Sequence, residues 1–419
     1  MAERHDPYIS LRNRNFQWFV ASLVVMTLAT MIQGTVVGWQ IYALTNDPLS
    51  LGLVGLAEAL PFIGAALYAG HVADLYDRKK LGLVSIVVQT VSAGLLLAFT
   101  MRAGYLNSHR IWPIYAVVFL SGLARSFMQP ARTALGAEIV PREILANAIA
   151  WRSSLWQFGA VVGPALGGLL YGFGSARAGA APSHGAILAY QVEAALCIVG
   201  LVLFAMIAYT HTPVKRDSVP LKENLTVGIR FLFTQPELLG AQVLDLFSVL
   251  FGGAPALLPI FADRLGVGAE GLGVLRAAPA VGAVLMSVVL AHQTLRRAGR
   301  TLFACVAVFG LCWIVFAVSR SFWLSLAILA LSGMVDNVSV VIRSTLLTVR
   351  TPPEMLGRVS AVNQIFIGSS NEIGSFESGV AARLLGTVNS VIFGGLVTLG
   401  VVGVTAAKTP ALRNLDELS

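Results

Sequence analysis

Charge is what this sequence has least of. Only 12% of its residues are Asp, Glu, Lys or Arg, against about 25% in soluble domains. With 56% of the chain hydrophobic, there is too little polar surface to face water on all sides, which excludes a soluble protein. Cysteine is scarce too. Cys197, Cys305 and Cys312 all lie inside apolar runs, so they read as packing residues and exclude a disulfide framework or a thiolate metal site. The six histidines (His5, His71, His109, His184, His211 and His292) fall in loops, at helix ends or in the N-terminal segment. Any proton relay at membrane depth must therefore use carboxylates. The chain has no His-Glu-x-x-His pair, no Gly-x-Ser-x-Gly elbow and no nucleotide-binding loop, which argues against an intramembrane enzyme and against ATP as the energy source. No cofactor is expected.

What the chain has instead is apolar length. A spanning helix needs about 20 apolar residues, and 419 residues leave room for about a dozen spans and short loops. Apolar runs between polar brackets predict helices near 16–44, 50–70, 81–101, 112–135, 147–171 and 186–209, then near 238–262, 271–292, 301–319, 322–348, 359–382 and 387–407. The organisation expected is an N-terminal six-helix half (1–210), a cytoplasmic connector (211–235), a C-terminal six-helix half (236–407) and a cytoplasmic tail (408–419). The first apolar run, from Phe16, exceeds signal-peptide length and is expected to be a retained helix.

With the N-terminus inside, 19 of the 29 Lys and Arg residues fall on the cytoplasmic side and six outside (Arg102, Arg110, Arg177, Arg264, Arg320 and Arg383). Arg125, Arg152, Arg276 and Arg343 remain within helices or at their ends. The excess of cytoplasmic cations predicts that both termini are cytoplasmic. It also accounts for the net charge of +8, so no nucleic-acid partner is needed.

The two halves resemble each other. Ser121-Gly122, Arg132, Pro141, Glu143, Leu145 and Ala150 recur 211 residues on as Ser332-Gly333, Arg343, Pro352, Glu354, Leu356 and Ala361. Gly163 and Gly168 fall on Gly374 and Gly379 at the same offset, and Leu51-Gly52 and His71 recur at Leu272-Gly273 and His292 after 221. Parallel repeats of six helices are an architecture of secondary transporters.

Charges inside the apolar runs need a partner or water, since each costs roughly 2.5–3.5 kcal/mol at mid-bilayer. Glu58, Arg125, Asp245, Asp336 and Glu372 lie within helices 2, 4, 7, 10 and 11. Arg343 is two helical turns beyond Asp336 on the same face. Arg125 and Asp336 are 211 apart, hence equivalent in the two halves with opposite charge. They are either an ion pair that locks the halves or a cavity pair that binds substrate or couples protons. Glu58, with no basic residue near it in sequence, is the first candidate for proton coupling, followed by Asp245 and Asp336. Gln33, Gln40, Asn337, Asn363, Gln364 and Asn371 are candidates for a polar substrate cavity, with interhelical hydrogen bonding the alternative for each.

Between helices 2 and 3, Gly70 to Lys80 reads GHVADLYDRKK. This order resembles the helix 2–3 loop of the major facilitator superfamily. Gly163-Pro164 with Gly167-Gly168, and the TPPEMLGRV loop from Thr351 to Val359, are similar to its drug and siderophore exporter branch, in particular to enterobactin exporters. The resemblance implies an all-α membrane protein of twelve transmembrane helices in two pseudo-symmetric halves. It implies an inner gate of Gly70, Asp74, Arg78 and Arg132, with Asp74 paired to Arg132, and a glycine-rich helix 5 that packs on helix 8. Asp77 departs from the pattern, which usually has Gly there.

The function expected is proton-coupled efflux of a small drug- or siderophore-like amphipathic molecule by a monomer in the bacterial inner membrane. Its partners would be that substrate, protons and the lipid bilayer. The alternatives are gradient-independent flipping of a lipid or lysolipid and a non-transporting sensor on the same fold.

Overall fold

The computed structural model describes residues 6–178, 184–209, 221–292 and 297–416. The described residues are helical almost throughout and contain no strand. The first six long helices are α1 (Arg14–Thr45), α2 (Pro48–Leu75), α3 (Arg78–Met101), α4 (Trp112–Glu138), α5 (Leu145–Ala178) and α6 (His184–Ala205). A connector helix, Leu221–Thr234, precedes α7, which runs in two pieces, α7a (Pro236–Phe247) and α7b (Leu258–Arg264). Then come α8 (Gly268–Leu290), α9 (Ala298–Val318), α10 (Phe322–Arg350), α11 (Pro353–Leu385) and α12 (Thr387–Lys408). Ten of these segments, the interrupted one included, are long and apolar enough to cross a membrane. Helices α4 and α11 match them in length, at 27 and 33 residues, but carry too many polar residues for a purely apolar span.

The chain forms two compact units. One comprises Met1–Leu44 with Leu60–Arg216, the other Thr45–Ala59 with Asp217–Ser419. In the first, Phe16, Phe19, Ile86, Leu135, Phe204 and Ile207 form part of one buried apolar cluster. The glycines of α5 admit α1: a Cβ at Gly159 would meet Thr27, one at Gly163 would meet Met31, and one at Gly167 would come within 3.2 Å of Ile32 Cα. Sequence resemblance assigns this stripe to a contact with helix 8; within its own unit it receives α1, because small residues four apart let a neighbouring backbone approach. The N-terminus is tied to α5, where Asn147 Nδ2 and Trp151 Nε1 donate to Pro7 O at 2.8 and 2.9 Å.

In the second unit Leu238, Leu244, Leu302, Ile342, Leu346 and Leu412 are among the buried core residues. Helices α8 and α10 meet through facing glycines. A Cβ added at Gly282 would overlap Ala330 O, and one at Gly333 would overlap Pro279 O. Neither backbone can retreat without moving its helix, so Gly282→Val and Gly333→Val are each expected to destabilise by about 1–3 kcal/mol or more. Melting temperature and monodispersity in detergent measure this, with Gly400→Ala, where a Cβ meets nothing within 4 Å, as the neutral control.

One expectation needs correction. Helix 7, expected to be continuous over 238–262, is broken: α7a passes into a π-turn at Ser248–Gly252, an extended Gly253 (φ −98, ψ 128) and a 3-10 turn at Pro255–Leu257. Pro255 has no N–H to give and disfavours a helical residue before it, and the adjoining glycines have little helix propensity. The connector includes a helix. Thr210–Pro220 lies outside the described residues, but Leu221–Thr234 is a helix whose Gly228 approaches α11, with a Cβ position 3.0 Å from Arg358 O.

Candidate functional site

The break in α7 sits beside a cluster of charge in the second unit. Asp245 lies one turn before the π-turn, and Arg343 and Asp336 lie two turns apart on α10. Arg343 Nη1 forms an ion pair with Asp245 Oδ2, and its Nη2 is 4.0 Å from Asp336 Oδ1. Its Nε also donates to Ser339 O at 3.3 Å. The side chains of Arg343 and Asp245 are only 7% and 8% exposed, whereas that of Asp336 is 48% exposed. A cavity with room for about one water is lined by Asp245, Ser248, Cys305, Phe309, Asp336 and Ser339, among others. Two carboxylates thus share one guanidinium, one held tightly and buried, the other loosely and open to the cavity. Broken helices beside a polar site are a recurrent arrangement in transporters, since irregular backbone is tolerated where it lines a cavity.

Glu58 does not join this cluster. The Thr45–Ala59 segment of α2 belongs to the second unit, and there the half-buried Glu58 lies within electrostatic reach of Arg276 on α8. It is remote from basic residues in sequence but not in space. The same segment meets α11 closely: a Cβ at Gly52 would stand 2.9 Å from Gly379 Cα, and Asp47 pairs with Arg383 at 3.5 Å.

The remaining cavity candidates are dispersed. Gln33 Nε2 donates to Ser121 Oγ at 3.4 Å, joining α1 to α4. Gln40 Nε2 donates to Thr100 Oγ1 at 3.0 Å, and Tyr190 donates to Gln40 Oε1 at 2.7 Å. Asn337 Nδ2 donates at 2.8 Å to Ala283 O and to Ser287 Oγ of α8. These three amides bond helix to helix. Asn371 bonds Ile367 O on its own helix, and Gln364 is exposed. Asn363 Oδ1 is buried without a hydrogen-bond partner. Arg125 belongs to the first unit and Glu372 to the second, both half-buried.

The expected pair of Asp74 and Arg132, in the bracket between α2 and α3, falls outside what the described side chains show. The side chain of Asp74 lies outside the described residues. Arg78 pairs with Glu138 at the C-terminal end of α4, and Tyr209 donates to Glu138 Oε2 at 2.5 Å. Arg132 donates to Gln129 on its own helix. Asp77 caps α3, accepting from Lys79 N at 2.9 Å and Lys80 N at 3.2 Å, a use that a glycine could not serve as well. Lys79 Nζ reaches Ala205 O at the C-terminal end of α6 at 2.9 Å, where a cation is favourable. Burial raises the Tyr209 phenol above its ordinary value; Arg78 opposes this and Asp77 adds to it. A Cβ at Gly70 would meet nothing within 4 Å.

Ten helical segments among the described residues that are long and apolar enough to cross a membrane, one of them broken beside an ion cluster, fit a helical membrane transporter. Comparison with known proteins agrees. The sequence profile of the Major Facilitator Superfamily matches residues 19–375, and the chain belongs to that family, whose members are transporters of small molecules rather than enzymes. Curated relatives include the enterobactin exporters EntS of Escherichia coli O1:K1 / APEC and of Shigella boydii serotype 18, each 29% identical over 384 residues, covering 88% of this chain and 86% of theirs. Among solved structures, a point mutant of the nucleoside transporter NupG is similar at a TM-score of 0.70 and 13% identity, covering 96% of this chain and 100% of that one. A bacterial homologue of the iron transporter ferroportin, in an inward-facing state, gives 0.71 and 16%, covering 96% and 99%. At such identities the structural likeness concerns the fold.

Proposed function

We propose that the protein exports a small amphipathic molecule, drug- or siderophore-like, across the bacterial inner membrane by proton-coupled alternating access. It would act as a monomer with both termini in the cytoplasm. The observation that supports coupling is the ratio of two carboxylates to one arginine in the second unit. Arg343 balances Asp245, and Asp336 at 4.0 Å adds a charge that the same guanidinium cannot also cancel. Asp336 is half open to the cavity, where it can exchange a proton, and a proton on it removes that surplus charge. Losing that proton to the cavity restores the charge and strengthens the pull on Arg343. Occupancy of Asp336 by a proton would therefore bias how α10 and α7a sit together beside the broken segment. That is a two-state element of the kind coupling requires. Export and substrate class rest on the similarity to enterobactin exporters.

Proteoliposomes with an imposed pH gradient test this reading, after comparison of medium from cells with and without the gene has nominated a substrate. Transport should follow the gradient and collapse when an ionophore dissipates it. Transport at the same rate with no gradient would point to a flippase, and no movement of any nominated compound would point to a sensor.

A further inference from the structure

The internal repeat makes Arg132 of α4 the counterpart of Arg343 of α10, and Arg125 the counterpart of Asp336. In the second unit the arginine is neutralised from within by Asp245 and Asp336. In the first unit the charge is inverted. Among the described residues no acid pairs with Arg132, whose guanidinium donates to the neutral Gln129. A second cation stands beside it instead: Arg152 of α5 is close enough for the two charges to act on each other. Arg152 reaches inward to α4, its Nη1 lying 3.6 Å from where a Cβ on Gly136 would stand, next to the ring of Phe19. The nearest acid along α4, Glu138, is occupied by Arg78 and Tyr209. The two guanidinium groups are within electrostatic reach of each other, about two turns from the C-terminal end of α4 and the N-terminal end of α5, both half-buried, and no carboxylate pairs with either among the described residues.

Like charges within reach of each other are unfavourable, and an anion taken from outside the chain relieves them. We infer that Arg132 and Arg152 form an anion site between α4 and α5, which receives an oxyanion group in the place that carboxylates fill in the second unit. Arginine suits this task, since its planar fork binds phosphate or carboxylate oxygens in pairs. The anion could be free in the cytoplasm or the headgroup of an acidic phospholipid in the inner leaflet. The chemistry of recognition is the same for both. The inference is independent of the direction and coupling of transport proposed above, because it concerns binding at equilibrium.

The test uses the purified full chain in a neutral maltoside detergent, with melting temperature as the readout. Sodium phosphate is titrated against sodium chloride at matched ionic strength, and phosphatidylglycerol against phosphatidylcholine. The wild type should be stabilised by phosphate, by phosphatidylglycerol, or by both, over the matched control. Arg152→Gln should raise the melting temperature without added anion, because repulsion is gone, and weaken the anion response by about tenfold. Arg152→Lys, which keeps the charge, should retain most of the response. A response to phosphate without lipid assigns the site to a free anion, and one confined to phosphatidylglycerol assigns it to a headgroup. Should Arg152→Gln fail to fold, Arg132→Gln carries the same expectation. No response to either anion overturns the inference. So does a response of equal strength in the wild type and the folded glutamine variant, the result expected if Asp74 already neutralises Arg132.

Discussion

Arg343→Met should destabilise the second unit by about 3–5 kcal/mol, the usual cost of removing one partner from a buried ion pair. The expectation follows from burial. Arg343 and Asp245 are 7% and 8% exposed in their side chains, so Asp245 would be left as a buried charge without its cation. The same reasoning predicts the sign of the double change. In Asp245→Leu/Arg343→Met both charges are replaced by apolar groups of similar volume, and a buried ion pair replaced in that way often loses little or nothing. The double variant should therefore melt well above the single one. Melting temperatures of the two proteins in detergent decide the matter. If the double variant melts no higher than Arg343→Met, the pair contributes through packing of the side chains rather than through charge, and Asp245 is not the group that Arg343 exists to balance.

Much of this fold is legible in the sequence because the membrane imposes length and polarity on each segment. Apolar runs and their brackets locate eleven helices closely, and spacing alone puts Asp336 and Arg343 on one face of α10. Helix 7 misleads for a physical reason. Its residues are apolar enough to read as one span, and the Gly252-Gly253-Ala254-Pro255 run that breaks it carries no polar group to interrupt the pattern. The charged cluster is half legible. Asp336 and Arg343 are neighbours along one helix, but Asp245 reaches them across a helix–helix contact, which no local pattern encodes. The constant offset of 211 has a similar limit: it makes Arg125 equivalent to Asp336 without saying what either touches. Glu58, isolated from basic residues in sequence, lies within electrostatic reach of Arg276 from α8, a proximity that no local pattern encodes. Glu138 escapes a sequence reading because it follows an apolar run and looks like a simple helix terminus, yet it is the partner of Arg78. The departure at Asp77 becomes intelligible only from backbone geometry, where its carboxylate caps α3.

Asp336→Asn should leave the protein folded and remove its response to a pH gradient, the largest functional effect expected of any single change in the second unit. The two acids of the cluster make different predictions because they are held differently. Asp336 is 48% exposed and stands 4.0 Å from Arg343, so an amide there loses little; half-exposed substitutions of this kind usually stay within about 0.5 kcal/mol. Asparagine keeps the size and hydrogen-bonding of the acid but can neither take nor release a proton. It thus imitates the protonated state permanently. If proton occupancy of Asp336 drives the cycle, the variant should still bind substrate and should still exchange it across the membrane at equal pH, but an imposed gradient should no longer accelerate net movement. Asp245→Asn should behave oppositely: it leaves the buried Arg343 with only the distant Asp336 to balance it, so stability falls first. Parallel proteoliposome assays of wild type and both variants, with melting temperatures taken on the same preparations, separate the two roles. Gradient-driven transport that survives in Asp336→Asn would move the coupling proton to another carboxylate, with Glu58 beside Arg276 the next to be replaced.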